Sequence, residues 1–222
     1  MEICKLEHIR KDYRMGELVS PLTDINLTVN AGDFIAIEGP SGIGKSTLLY
    51  VMGTLLKSDG GKLVIEGVDV SSLNDDQLAE LRAQKLGFLF QDSNMIQALT
   101  LRDNLLFTQK IGKKSGKPTR NVDELLERFG LADRANFLPG QLSGGQRRRA
   151  VAARSLIHSP SLILADEPTN DLDKQWAEEI ITILKEEAQR GAGVVMVTHN
   201  SQSSQMAKRR CRLEDGKLLD LE

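Results

Sequence analysis

Long apolar runs are missing from this sequence. No apolar stretch approaches the roughly 18–20 residues that a helix needs to span a bilayer. The first residues, Met-Glu-Ile-Cys-Lys-Leu-Glu, lack the basic and apolar regions of a secretory signal. We therefore expect an intracellular protein, and we expect another polypeptide to supply any membrane part of its function.

Cysteine is scarce, and neither sign of charge is in large excess. The two cysteines, Cys4 and Cys211, have no metal-ligand spacing and predict small packed thiols in a reducing compartment. A net charge of −2 over 222 residues argues against a general affinity for nucleic acids or membrane surfaces. Internal repeats and low-complexity segments are also absent, so an ordinary globular core is expected.

A glycine-rich stretch is the strongest feature that is present. Residues 39–47 match the pattern G-x-x-x-x-G-K-[ST] between an apolar run at 34–38, which predicts a buried strand, and an apolar run that predicts a helix. Glycine lets the backbone turn so that successive amides point into one concavity, at the positive end of the helix dipole. Lys45 would reach the β- and γ-phosphates, and the Ser46 hydroxyl would ligate Mg²⁺. We expect nucleotide contacts from the whole stretch: Gly39, Pro40, Ser41, Gly42, Ile43, Gly44, Lys45, Ser46 and Thr47.

The apolar pattern predicts an α/β fold. Short strand-like runs come first, a helical stretch follows between Thr100 and Ile157, and the two most strand-like runs are 162–165 and 193–198. Strands this apolar need helices on both faces, which predicts a mostly parallel core sheet. We expect one domain over 1–222, with the core and an antiparallel β edge in about 1–91 and 158–222 and a helical subdomain in about 92–157.

Polar residues follow three of the predicted core strands. They are Gln91, the pair Asp166-Glu167, and His199. Because ligands of open α/β sheets lie at the carboxyl ends of strands, we expect these residues to converge beside the glycine-rich loop. Asp166 is typical of a strand-end carboxylate that holds Mg²⁺, and Glu167 is the candidate to orient or deprotonate water. Without the glycine-rich loop, the simpler interpretation would be solvated polar residues at strand ends.

The run Leu142-Ser-Gly-Gly-Gln146 predicts a second anion-binding helix start. Two glycines precede a helical pattern, and Ser143 stands at the N-cap position. This pentapeptide resembles the signature of the ATP-binding cassette (ABC) ATPases. The resemblance extends over essentially the whole chain and follows the order of motifs in that family.

The resemblance implies roles for individual residues. It implies adenine stacking for Tyr13, a Q-loop glutamine at Gln91, a catalytic base at Glu167, a D-loop aspartate at Asp173 and a switch histidine at His199. Lys45 and Gln91 join Glu167 and His199 as catalytic candidates. The signature residues that would contact nucleotide are Leu142, Ser143, Gly144, Gly145 and Gln146, and the implied Mg²⁺ ligands are Ser46, Gln91 and Asp166.

The resemblance also implies a fold, ligands and partners. The fold is a P-loop NTPase of the ABC type, and the ligands are ATP and Mg²⁺. In this family each ATP lies between the Walker A loop of one subunit and the signature of the other, in a head-to-tail dimer. The finer resemblance is to the bacterial lipoprotein-release and macrolide-efflux branch, whose members energise a separate membrane permease. We accordingly expect a second copy and a permease as partners, no nucleic acid, and a place on the inner face of the cell membrane.

Three departures from the pattern are visible. Ile43 replaces a small residue in the phosphate loop, Asn170-Asp171 replaces Gly-Asn before the D-loop aspartate, and Asn200 replaces Asp after the switch histidine. No catalytic group is missing, so both sites of a homodimer are expected to be competent.

Two other functions stay open at this point. One is an ATPase that drives a membrane partner to activate cell-wall hydrolases without transport. The other is an ABC protein that acts on DNA or ribosomes, although such proteins usually carry two cassettes or a long coiled coil. The triplet Arg147-Arg-Arg149 favours a solvated helix face with one buried ion pair over a nucleic-acid site.

Overall fold

The computed structural model describes residues 1–90, 94–112 and 119–221. The expectations for Gln91 lie outside the described residues. The strands are β1 Glu2–Met15, β2 Glu17–Asn30, β3 Phe34–Glu38, β4 Gly60–Ile65, β5 Val68–Asp69, β6 Leu86–Leu89, β7 Leu162–Asp166, β8 Gly193–Thr198, β9 Arg209–Glu214 and β10 Lys217–Leu221. The helices are α1 Lys45–Met52, α2 Asp75–Lys85, α3 Leu101–Gly112, α4 Val122–Arg128, α5 Gly144–Leu156, α6 Lys174–Gln189 and α7 Ser201–Ser204.

The strands form two sheets. The larger has the order β10-β9-β3-β8-β7-β6, and all neighbours in it are parallel except the β9–β10 hairpin. The smaller has the order β2-β1-β4-β5 and is antiparallel throughout. The predicted parallel core sheet and antiparallel edge are thus both present.

Strand alternation divides the core into two clusters. In β3, Phe34 and Ala36 point into one cluster, whereas Ile35 and Ile37 point into the other. The first cluster is shared with apolar residues of α3, α4, α5 and α6. The second lies between the two sheets and contains α1. The central strands are therefore buried on both faces, as their continuous apolar sequence predicts.

Local signals place the ends of several helices. Asn74 and Gln77 form a reciprocal capping box at the start of α2, so Asn74 caps this helix. Ser143 caps α5, as expected from the sequence. The hairpin between β9 and β10 turns at Asp215 and Gly216, where both φ angles are positive.

Two further expectations concern thiols and membrane spans. Cys4 and Cys211 are both free and buried, as predicted, and burial raises the pKa of each to about 12. Within the ranges 1–90, 94–112 and 119–221, no helix has the length and apolar character needed to cross a membrane.

Packing of α1 between the sheets is a testable source of stability. Leu49 is fully buried there. Leu49→Ala should lower the free energy of unfolding by about 2–5 kcal/mol, because it removes apolar contacts and leaves a cavity. Urea titration followed by circular dichroism measures this change.

The matched control is Leu219→Ala in β10, where the side chain is 49% exposed. Its effect should stay within about 0.5 kcal/mol. Equal losses for the two variants would contradict the assignment of α1 to the core.

Candidate nucleotide-binding site

The glycine-rich loop at 39–44 adopts a backbone that only glycine accommodates at two positions. Gly42 and Gly44 have φ angles of 80° and 116°. A Cβ at Gly44 would lie 2.8 Å from Cβ of Pro21, whereas a Cβ at Gly42 would meet nothing within 4 Å. Backbone conformation therefore requires glycine at both positions, and close approach of β2 requires it at Gly44 as well.

The helix that follows this loop starts without a side-chain cap. Its N-cap residue is Gly44, and among the described residues no side chain accepts a hydrogen bond from the first amides of α1. By contrast, α2, α5 and α6 are capped by Asn74, Ser143 and Asp173. Uncapped amides at the positive end of a helix dipole form an anion-binding site. The loop thus has the geometry that the sequence predicts for binding phosphate.

Lys45 places a positive charge at the same position. Its side chain is only 7% exposed, and its Nζ donates hydrogen bonds to the carbonyl oxygens of Gly39 (2.7 Å) and Pro40 (2.9 Å). The ammonium group is therefore held over the loop by the loop's own carbonyls, where it can meet phosphate oxygens.

A cleft of about 230 Å³ lies beside the loop and contains Tyr13. Its other lining residues are Val19, Pro21, Gly42, Gly44, Lys45, Ser46 and Thr47. The structure therefore brings Tyr13 to the phosphate loop, as expected, although the two are 26 residues or more apart in sequence. Val19 was missed by sequence reasoning. The pairing of Val19 with Tyr13 across the β1–β2 hairpin is the signal that could have found it.

The end of β7 adds an oxygen pair to the site. The Ser46 hydroxyl lies beside the carboxylate of Asp166, which is 6% exposed. Burial raises the pKa of Asp166, and the neighbouring Glu167 charge adds to that rise, whereas the Ser46 hydroxyl opposes it. Mg²⁺ binds hydroxyl and carboxylate oxygens together with the phosphate oxygens of a substrate, so Ser46 and Asp166 fit this metal. Among the described residues, no cluster of three or more His, Cys, Asp or Glu offers a competing metal cage.

Glu167 is held by the end of the neighbouring strand β8. Its carboxylate accepts hydrogen bonds from Thr198 Oγ1 (3.0 Å) and from the His199 amide (2.9 Å), and His199 Nδ1 lies 2.8 Å from its Oε1. Its backbone has a φ of 45°, in the left-handed region that is costly for a residue with a Cβ. The structure thus joins the predicted Glu167 and His199 and adds Thr198, which sequence reasoning missed.

Arg148, on α5, binds the backbone at the end of β7. It is 5% exposed, and its guanidinium donates to the carbonyl oxygens of Phe90 (2.6 Å), Asp166 (2.5 Å), Pro168 (3.3 Å) and Glu167. Burial lowers the pKa of Arg148, and the charges of Asp166 and other acidic neighbours oppose that shift. Arginine nevertheless stays charged in proteins.

The arginine triplet at 147–149 does not form a solvated face with one buried ion pair, and that prediction was wrong. The buried Arg148 binds backbone carbonyls. Arg147 donates to the carbonyl of Leu142 (2.5 Å), and Arg149 donates to the carbonyl of Phe129 (2.7 Å) and stacks over Trp176 at 4.1 Å. Sequence position alone does not reveal these partners, because each lies on another segment or on the helix start.

The signature run lies next to the turn that precedes the predicted D-loop aspartate, apart from the cleft. The cleft lining includes no residue of 142–146. A Cβ at Gly145 would lie 3.2 Å from the carbonyl oxygen of Asp171, so the turn before α6 packs against the start of α5. Asp173 accepts a hydrogen bond from the Trp176 amide and caps α6. One chain therefore carries two separate candidate phosphate-binding elements.

Comparison with known proteins identifies the family. The sequence model of the protein family described as "ABC transporter" matches residues 22–170 of this chain. The chain belongs to the ABC transporter family. The resemblance inferred from the motifs is thereby confirmed, and the chain is an ABC-type ATPase that binds and hydrolyses ATP.

Several relatives and solved structures are similar over nearly the whole chain. "Lipoprotein-releasing system ATP-binding protein LolD 1" of Rhodopseudomonas palustris is 39% identical, with 98% of each chain covered. "Macrolide export ATP-binding/permease protein MacB 1" of Yersinia pestis bv. Antiqua is 40% identical over 98% of this chain, which spans about a third (34%) of that protein. The dimeric post-hydrolysis structure of the ATP-binding cassette MJ0796 bound to ADP and Pi has a TM-score of 0.87 and 35% identity, and covers 99% of this chain and 98% of that one. These similarities confirm the predicted fold of the ABC ATPase type.

Two departures from the ABC pattern have visible structural consequences. The Ile43 side chain is partly buried and packs against the cluster between the sheets. The Asn200 side chain caps α7 by accepting hydrogen bonds from the amides of Gln202 (2.9 Å) and Ser203 (3.2 Å). Asn200 therefore keeps a capping function without a charge.

The fit of Gly44 against β2 leads to a prediction about affinity. Gly44→Ala should weaken ATP binding roughly 100-fold, because backbone strain and displaced amides together cost about 3 kcal/mol. Titration with a fluorescent ATP analogue measures the change.

Gly191→Ala is the matched control. Gly191 also has a positive φ (100°), but a Cβ there meets nothing within 4 Å. This variant should lose some thermal stability and retain ATP affinity. If it weakened ATP binding as much as Gly44→Ala does, general strain rather than the loop geometry would explain the loss.

Proposed function

We propose that this ABC ATPase is the subunit that energises a separate membrane permease, through ATP-driven closure of a head-to-tail dimer. The observation that carries the proposal is the convergence of three elements at one sheet edge. The uncapped start of α1 follows β3, and Asp166 and Glu167 stand at the end of β7, where the neighbouring strand β8 anchors Glu167. This arrangement supplies phosphate binding, a cation site and a base within one site.

The site residues divide the chemistry as follows. Loop amides and Lys45 bind and neutralise the phosphate oxygens, and Tyr13 and Val19, which line the same cleft, are proposed to stack on adenine. Ser46 and Asp166 would hold Mg²⁺, which neutralises phosphate charge when bound. The Glu167 carboxylate orients the attacking water and accepts its proton. His199 contacts Glu167 and is proposed to contact the γ-phosphate as well, and Gln91 is proposed as a further contact to metal and water.

Closure by a second copy is supported by the separation of the two phosphate-binding elements. Ser143, Gly144 and Gly145 start a helix that does not line the cleft of their own chain. A head-to-tail partner would place this helix start on the phosphates of the other subunit, near Asp173. The similarity to dimeric MJ0796 cassettes supports the same assembly.

A permease partner is supported by the relatives and by an apolar surface groove. MacB proteins are named as ATP-binding/permease proteins, and this chain corresponds to about a third of one of them. The groove has a volume of about 400 Å³ and lies between α2, α3 and the end of α5. Ile96, Phe107 and Ile111 line it and are 39%, 47% and 44% exposed. We propose that a permease helix docks here, which places the ATPase on the cytoplasmic face of the membrane.

The segment proposed as the helical subdomain, 92–157, supplies much of this groove. Met95 is 5% exposed and packs inside the core, so a substitution there would test folding rather than docking. Ile96, Phe107 and Ile111 are the better probes.

Removal of the base tests the catalytic assignment. Glu167→Gln should retain ATP binding and lower turnover by roughly 10²–10⁴-fold, because the amide cannot accept a proton. It should accumulate an ATP-bound dimer, which gel filtration with and without ATP would reveal. Hydrolysis at the wild-type rate in this variant would reject the assignment.

Charge introduced into the groove tests the partner assignment. Phe107→Asp and Ile111→Asp should abolish co-purification of the membrane partner, because a carboxylate in an apolar contact is costly to desolvate. The control is Leu219→Asp, which changes an equally exposed residue on β10. Retention of the partner by both groove variants would contradict docking at this surface. If the captured membrane partner binds cell-wall hydrolases outside the cytoplasm and transports nothing, the alternative function is favoured, in which the ATPase activates those hydrolases through its partner.

A further inference from the structure

Glu167 has a backbone conformation that its own segment explains only in part. Its φ of 45° lies in the left-handed region, yet Glu167 has a long side chain, and Pro168 follows it. Such a conformation costs on the order of 1–3 kcal/mol and persists only where the surroundings fix it. The direction of the Glu167 carboxylate depends on this φ, so whatever fixes the backbone also aims the base.

Contacts from β8 account for only part of the restraint. The amide of Glu167 donates to the carbonyl of Val197 (3.0 Å), and Thr198 and His199 bind its carboxylate. These contacts all come from the end of β8. The carbonyl of Glu167 also accepts a hydrogen bond from the Asn170 amide (3.2 Å), so a turn of the same segment contributes to the restraint. A further element holds this carbonyl and those of its two neighbours.

Arg148 supplies that restraint from α5. One guanidinium donates to three consecutive carbonyl groups, those of Asp166, Glu167 and Pro168, and also to Phe90 at the end of β6. Guanidinium has five donors in a rigid plane and can serve four acceptors at once. A lysine ammonium has three donors on a flexible stem and cannot reproduce this pattern.

We propose that Arg148 is a positioning residue for ATP hydrolysis: it fixes the backbone of Asp166 and Glu167 so that the Glu167 carboxylate is aligned with water at the γ-phosphate. This proposal rests on the assigned role of Glu167 as base. Arg148 contacts neither substrate nor metal in this assignment and acts through the strand end alone. Its loss should therefore impair the chemical step and leave nucleotide binding and dimer closure largely intact.

The test compares Arg148→Met with Arg149→Met. Both residues are adjacent on α5 and donate to backbone carbonyls, but the partners of Arg149 are Phe129 and Gly130 at the end of α4. Arg148→Met should lower kcat at least about tenfold with KM within about threefold of the wild type. Arg149→Met should keep kcat within about threefold. Arg148→Lys should fall between the wild type and Arg148→Met.

Dimer trapping separates positioning from a general structural role. With Glu167 intact but misaligned, Arg148→Met should accumulate an ATP-bound dimer on gel filtration, as Glu167→Gln does. A merely structural role predicts loss of ATP binding and of the dimer together. Thermal unfolding of each variant, with and without ATP, accompanies these measurements.

Three results would overturn the proposal. They are a kcat of Arg148→Met within about threefold of the wild type, an equal loss in Arg149→Met, or a loss of kcat accompanied by loss of ATP binding. If Arg148→Met does not fold, Arg148→Lys is judged by the same criteria. If Glu167→Gln traps no dimer, the proposed dimer mechanism fails, and the split between kcat and KM alone then decides the role of Arg148.

Discussion

The amides that start α1 have to remain available to an anion, and much of the fold follows from this constraint. A helix whose first amides are not capped by its own chain loses a source of stability that α2, α5 and α6 retain. Packing offsets that loss. Leu48, Leu49 and Met52 are fully buried between the two sheets, so the smaller sheet both covers the core and fixes the direction of the helix.

The parallel order of the larger sheet explains why distant residues share one site. β3, β8 and β7 are neighbours, with Glu38 paired to Thr198 and Asp166 paired to Val197. Their carboxyl ends therefore lie at one edge, and the phosphate loop, His199 and Glu167 follow these strands directly. Arg148 then links this edge to α5, whose first residues are the signature run. The start of α5 lies outside the cleft, but the hydrogen bonds of Arg148 connect this helix to the strand end that carries Asp166 and Glu167.

Sequence patterns predicted the features that depend on short segments. The positions of Gly44 in the phosphate loop, Ser143 at an N-cap and Asp166 at a strand end could be predicted, because each feature depends on a few consecutive residues. Features that depend on long-range packing could not be read in this way. Three adjacent arginines look alike in sequence, yet only Arg148 is directed at the strand end, and Val19 reaches the cleft only because the hairpin register pairs it with Tyr13. The extent of the helical subdomain stays a prediction.

The single tryptophan of the chain lies at a junction of three helices. Trp176 is in the first turn of α6, its ring is stacked 4.1 Å from the Arg149 guanidinium on α5, and a Cβ at Gly130 beyond α4 would touch it. Indole emission responds to the polarity and charge around the ring. The protein thus contains a native fluorescent probe at the junction of α4, α5 and α6, beside Asp173. Any rearrangement of these helices during turnover can be followed by stopped-flow fluorescence without a label.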